Sequence, residues 1–212
     1  MNGLTTEKMS QALDWAYEKA IHGIPGDLSS ESLAKSYMKK FSSTDEAIDS
    51  LIKWQMAKSS TSGFVTGLGG IITLPVAIPV NIASVLYVQM RMIAAIAHMR
   101  GYDLKDDQVQ TFVFICLTGQ AASDILKQSG ITVGTKLTVQ LIKKVPGATL
   151  TKINQKVAFR LVTKFGEKGV INLGKLVPVV GGVIGASVDG VGTKIIGNQA
   201  NKLFVELDSS VI

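Results

Sequence analysis

From Ser59 to Met90 the chain carries no charged residue, and this thirty-two-residue run is broken by four glycines and two prolines. One helix of about 20 apolar residues crosses the hydrocarbon core of a bilayer, so length alone would allow a span. Continuity does not. Pro75 and Pro79 each lack the N–H that a helix interior uses, and each ring crowds the preceding turn. Gly67, Gly69 and Gly70 loosen the front half, because glycine loses more backbone freedom on folding than other residues. The run therefore predicts two short helices meeting at a proline-marked corner. Two environments suit such a hairpin: the core of a soluble helical domain, or a bilayer that it enters without crossing.

The 212 residues suit one domain with a small N-terminal extension. Charged residues make up 18% of the chain, below the roughly 25% usual for soluble domains, and the mean hydropathy is +0.30. The single cysteine, Cys116, sits in an apolar run and reads as a small buried hydrophobe. The opening residues MNGLTTEKMSQALDW lack the basic-then-apolar order of a secretory signal. The expected compartment is the cytoplasm, at the inner face of the membrane where a membrane is involved. Net charge is +6, unevenly spread: Lys127 to Lys175 hold ten basic residues and one acid, Glu167. Such a block favours phosphate-bearing partners, lipid headgroups or nucleic acid.

Apolar spacing predicts an all-α domain. Met9, Leu13, Ala16 and Ala20 mark a helix over about 5–22, ended by His22-Gly23-Ile24-Pro25-Gly26. A second helix is expected over 30–41, and a third from Ser43, with Glu46 completing a capping box. A long apolar helix runs from Val80 to Met99 and closes at Arg100-Gly101. Asp103 is expected to cap the next helix, whose buried stripe is Val109, Phe112, Val113, Cys116 and Leu117. Further helices are read over 133–144, where β-branched residues leave a strand open, and over 149–165. The last segments flank Pro178 and Gly197.

Three patterns carry candidate function. Gly63 and Gly67, and Gly181 and Gly185, stand four apart, a spacing that flattens a helix face and lets two backbones approach closely. Close core packing is the plainer account of both. On the central helix, Asn81, Ser84, Tyr87, Arg91 and His98 share about a third of the circumference. A buried Arg91 needs an anionic partner, for which Asp189 and Asp124 are the candidates. This stripe is either a structural ion pair tying the central helix to the C-terminal hairpin or a polar pocket for a headgroup or small ligand, with Asp189 among its candidate residues. Lys152, Lys156, Arg160, Lys164 and Lys168 recur every four residues beside Ile153, Val157, Leu161 and Phe165. Basic plus apolar at this spacing suits a helix on an anionic bilayer, and equally a solvated face. No recognition motif accompanies it, so sequence-specific nucleic-acid binding is not expected. Two histidines, one cysteine and scattered carboxylates offer no catalytic motif, metal site or cofactor site. The chain leans towards a non-enzyme, with a hydrolase using Tyr87, His98 and a carboxylate as the minor alternative.

Several motifs in order carry a resemblance. Gly67-x-Gly69-Gly70, Leu74-Pro75, Ile78-Pro79, Arg91-Met92-Ile93, Gly101-Tyr102-Asp103 and the run from Val177 to Ala186 together resemble the EcsC family of bacterial proteins over about residues 60–205. The resemblance implies residues 1–58 as an N-terminal helical extension and 59–212 as the EcsC-like domain. It also implies a bacterial, non-enzymatic, membrane-proximal role. The family is named for a protein encoded beside the components of an ABC transporter, which implies a transporter or other membrane partner and a transport or envelope process. It implies no catalytic residues. Glycine ridges would serve a homo-oligomer as well as an internal core.

Overall fold

Thr5 opens the first helix. Its hydroxyl accepts from the Lys8 N–H at 3.2 Å, satisfying one of the donors that a helix start leaves unpaired. The computed structural model describes residues 3–59, 78–131, 142–166 and 184–205, and these hold eight α-helices. Helix α1 (Thr6–His22) buries Met9, Leu13, Ala16 and Ala20, the stripe that the spacing predicts. Helix α2 (Ser30–Met38) starts under a Ser29 cap, and the Ser30 hydroxyl donates to the Ala20 carbonyl of α1 at 2.8 Å. At the start of α3 (Thr44–Ser59) the Ser43 hydroxyl accepts from the Glu46 N–H at 3.2 Å. The Glu46 carboxylate accepts in return from the Ser42 N–H at 3.3 Å. The capping box is present, with its return bond one residue early.

Helix α4 (Val80–Met99) is the axis of the fold. It packs against α1, α2, α3, α5 (Asp107–Cys116) and α8 (Ile184–Leu203). Among its described side chains only Val80, Val85 and His98 escape full burial, as expected of a helix apolar almost all round. It ends in a Schellman motif: the Gly101 N–H donates to the His98 carbonyl at 3.0 Å and the Tyr102 N–H to Ala97 at 3.1 Å, with Gly101 at φ +87°. The window Ile82–Met99 passes the length and composition test for a membrane span, and 89% of it is buried inside the protein.

Beyond α5, a 3₁₀ turn (Gly119–Ala121) leads into α6 (Ala122–Gln128), and α7 (Gly147–Phe165) lies across α1, α5 and α6. Three expectations change. Asp103 does not cap α5; its carboxylate accepts from the Lys105 N–H at 2.9 Å in a local turn, and Asp106 takes the N-cap position. Helix α7 begins at Gly147 behind Pro146, where proline's fixed φ suits a helix entry. Helix α8 runs unbroken through Gly197. The proline–glycine corner before Ile78 and the 133–144 segment fall largely outside the described residues.

Gly197 explains itself by contact. A Cβ there would lie 2.7 Å from Ile52 Cγ1, so α8 and α3 meet where only a glycine fits. Arg100 ties the same corner together, pairing with the Asp45 carboxylate of α3 and donating to Asn201 Oδ1 of α8 at 2.6 Å. Gly197→Ala should destabilise the fold by about 1–3 kcal/mol in urea denaturation. Because Ile52 is the obstruction, the double variant Gly197→Ala/Ile52→Ala should lose less than the sum of the two singles, by about 0.5 kcal/mol or more.

Candidate functional site

The connection between α1 and α2 is a tight turn with a purpose. In Ile24-Pro25-Gly26-Asp27 the Asp27 N–H donates to the Ile24 carbonyl at 2.9 Å, and Gly26 has φ +83°. That is the pattern of a type II turn, with proline second and glycine third. It carries Asp27 over α4, where its carboxylate pairs with Arg91. Arg91 is 2% exposed and Asp27 19%. The Arg91 Nη1 also donates to the Leu28 carbonyl at 3.1 Å. One turn earlier on α4, the Tyr87 hydroxyl donates to Asp27 Oδ2 at 3.4 Å, and its ring centroid lies 5.7 Å from the guanidinium. Burial pushes the Tyr87 hydroxyl up to about 12; Arg91 opposes the rise and Asp27 adds to it.

Asp27 thus takes the role expected of Asp189 or Asp124. Asp124 stands exposed on α6, and the side chain of Asp189, like that of Asn81, lies outside the described residues. The rest of the polar stripe is divided. Ser84 is buried, and its hydroxyl has no partner among the described residues. His98, two turns beyond Arg91, lines a separate hollow with His22, Glu31, Asp103 and Lys105. Tyr87 and His98, the two groups that a hydrolase reading would use, therefore do not converge. Among the described residues no three His, Cys, Asp or Glu side chains are grouped to hold a metal ion. Burial raises the Cys116 thiol far above its ordinary range, so it stays a neutral thiol.

The basic stripe lies on α7. That helix turns Leu150, Ile153, Val157, Ala158 and Leu161 inward, leaving Lys152 and Arg160 exposed with Lys156 and Lys164 half-buried. The Lys156 ammonium donates to the Gln128 carbonyl at 3.1 Å, at the C-terminus of α6, where a cation is favoured. The Lys164 Nζ sits 5.2 Å from the Phe165 ring centroid. Between Lys156 and Arg160 stands Phe159, 65% exposed. It shares with Lys152, Lys156 and Arg160 the wall of an open hollow facing Asp124 and Ile125 of α6. The stripe reading missed Phe159 because it falls off the apolar periodicity of α7. An aromatic out of register between two cations was the available signal. Lys168, Gly63, Gly67 and Gly181 lie outside the described residues, and Gly185 lies near the start of α8.

A model of the EcsC protein family matches residues 1–205 of the chain. The match takes in α1 to α3 as well as the 60–205 stretch that carries the motifs. No curated protein and no solved structure matches.

Two measurements probe this centre. Asp27→Ala strands a buried guanidinium and should cost about 3 kcal/mol in urea denaturation, the low end for a buried pair because Asp27 is partly exposed. The double variant Asp27→Leu/Arg91→Met, which removes both charges, should be more stable than Asp27→Ala. Alkaline titration probes the ring groups. Tyr17, Tyr37, Tyr87 and Tyr102 are all held above their ordinary value of 10.0, burial being the leading cause in each. Above that pH the unfolded chain loses phenolic protons that the folded chain keeps. Stability is therefore intact below about pH 10 and falls as pH rises towards about 12. Tyrosinate absorbance at 295 nm should lag behind that of the urea-unfolded protein, and Tyr87→Phe should shrink the lag.

Proposed function

The chain belongs to the EcsC protein family, and on that footing we propose that it is a non-enzymatic protein that docks on an anionic membrane surface through the outer face of α7. The observation that carries this reading is Phe159, 65% exposed and flanked by Lys152, Lys156 and Arg160. Such an aromatic is no part of the core formed by the described residues, whereas at a headgroup boundary its ring would leave water. Full burial of such a side chain contributes about 1.5–3 kcal/mol, and each lysine or arginine near an anionic leaflet about 1 kcal/mol. The 142–166 segment holds six basic residues and no acid, so nothing within it offsets that attraction. These magnitudes describe reversible, salt-sensitive attachment of a folded domain, with the central helix remaining in the protein core. Such attachment at the inner face of the membrane would bring the chain to a transport or envelope partner, the role that the resemblance suggests.

Flotation with vesicles of phosphatidylglycerol and phosphatidylcholine tests the reading. The protein should rise with the anionic vesicles at low salt, stay behind with neutral ones, and be released by high salt or an alkaline carbonate wash. Lys152→Glu/Arg160→Glu should abolish flotation, and Phe159→Ser should weaken it about tenfold while leaving the far-ultraviolet spectrum unchanged. Flotation that survives the wash would assign the contact to the apolar 60–99 segment instead. Failure to float, or equal flotation of the charge-reversed variant, would overturn the α7 assignment.

A further inference from the structure

The exposed apolar side chains of the described residues are not scattered evenly. Leu28, Phe41 and Trp54 converge on one open hollow between the turn before α2, the end of α2 and the outer face of α3. Trp54 is 58% exposed, and the Tyr37 and Phe41 rings stack with centroids 6.3 Å apart and 16° between planes. A single exposed hydrophobe needs no explanation, but three large ones lining one concavity form a surface that a flat apolar body would cover.

The hollow also has a polar floor. Gln55 and Arg91 both line it and are almost fully buried, 1% and 2% exposed. The Gln55 Oε1 acceptor and the Arg91 Nε donor have no hydrogen-bond partner among the described residues. A buried polar atom left unpaired bears its full desolvation penalty. A hydroxyl carries both a donor for an acceptor such as Oε1 and lone pairs for a donor such as Nε–H, so one group has the chemistry to serve either atom. Asp27 lines the hollow too, but its carboxylate is committed to Arg91. Lys40 therefore sets the charge that the rim presents, its Nζ 6.0 Å from the Tyr37 ring centroid. We propose that this hollow is a binding site for a small aromatic acid that bears a hydroxyl: the ring lies on Trp54 and the Tyr37–Phe41 pair, the hydroxyl reaches Gln55 and Arg91, and the carboxylate meets Lys40. A cavity of about 500 Å³ is in the range that small-ligand sites occupy. The site shares no residue with the α7 face and stands whether or not that face meets a membrane.

Isothermal titration calorimetry with 6-hydroxy-2-naphthoate, and with 2-naphthoate as the control lacking the hydroxyl, tests the site. The hydroxylated probe should bind one to one and about tenfold more tightly than the control. Trp54→Ala should weaken both probes about tenfold, and Lys40→Ala both by about threefold to fivefold. Gln55→Leu should remove the preference for the hydroxyl while keeping affinity for 2-naphthoate. Lys40 and Trp54 are exposed, so their variants test the site even where Gln55→Leu fails to fold. Absence of binding by the native protein, or affinity unchanged in both Trp54→Ala and Lys40→Ala, would overturn the proposal. Equal affinity for the two probes would overturn the assignment of the floor.

Discussion

The pairing of Arg91 with Asp27 sits where the rest of the structure has to agree. Arg91 lies in the middle of α4, the helix that five others surround, and a charge in such a place is tolerated only with a partner and further hydrogen bonds. Asp27 and the Leu28 carbonyl supply the partner and a hydrogen bond at Nη1 from a single turn. That turn can deliver them only because Pro25 and Gly26 reverse the chain tightly at the end of α1. The pair thereby sets how α1 leads into α2 and how both lie against α4. Buried charge here is a device of arrangement more than of raw stability, since an apolar pair of the same shape would avoid the desolvation cost.

The helices of the fold were legible because their signals are local. The α1 stripe, the box at Ser43 and Glu46, and the Gly101 terminator each lie within one or two turns of what they control. Partnerships across the chain were not. Asp27 reads locally as the residue after a Pro-Gly turn, and nothing within four residues of it points to Arg91, sixty-four positions on. Asp189 and Asp124, each within a sparsely charged stretch, looked better; Asp124 is exposed on α6, and the Asp189 side chain lies outside the described residues. Gly197 likewise reads as a helix breaker, and only the approach of Ile52 from α3 turns it into a packing residue. Of the polar stripe of α4, Tyr87 and Arg91 meet at Asp27, whereas His98 faces other neighbours. Arg91 and His98 thus open on separate hollows.

The inner face of α7 and its outer face answer to different constraints. Inward, Leu150, Ile153, Val157 and Leu161 are fully or nearly buried against the helices beneath, and their spacing follows from that packing. Outward, Lys156 caps α6 through the Gln128 carbonyl. Lys152, Phe159 and Arg160 owe nothing to the core. The α2–α3 hollow divides in the same way: Leu33 is held by the core, while Trp54 and Lys40 stand clear of it.

Hydropathy alone would point to α4 for a membrane contact. Helix α4 is apolar over nearly its whole circumference because five helices cover it, and that packing fully accounts for its composition. A buried axis and a bilayer span pass the same test of length and hydrophobicity, so the test cannot choose between them. The discriminating residues are those whose character the fold does not require. Phe159 in water among cations is such a residue, and Leu86 in the core is not. The proposed membrane contact therefore rests on the polar-looking helix α7, and the greasiest of the described helices contributes nothing to it.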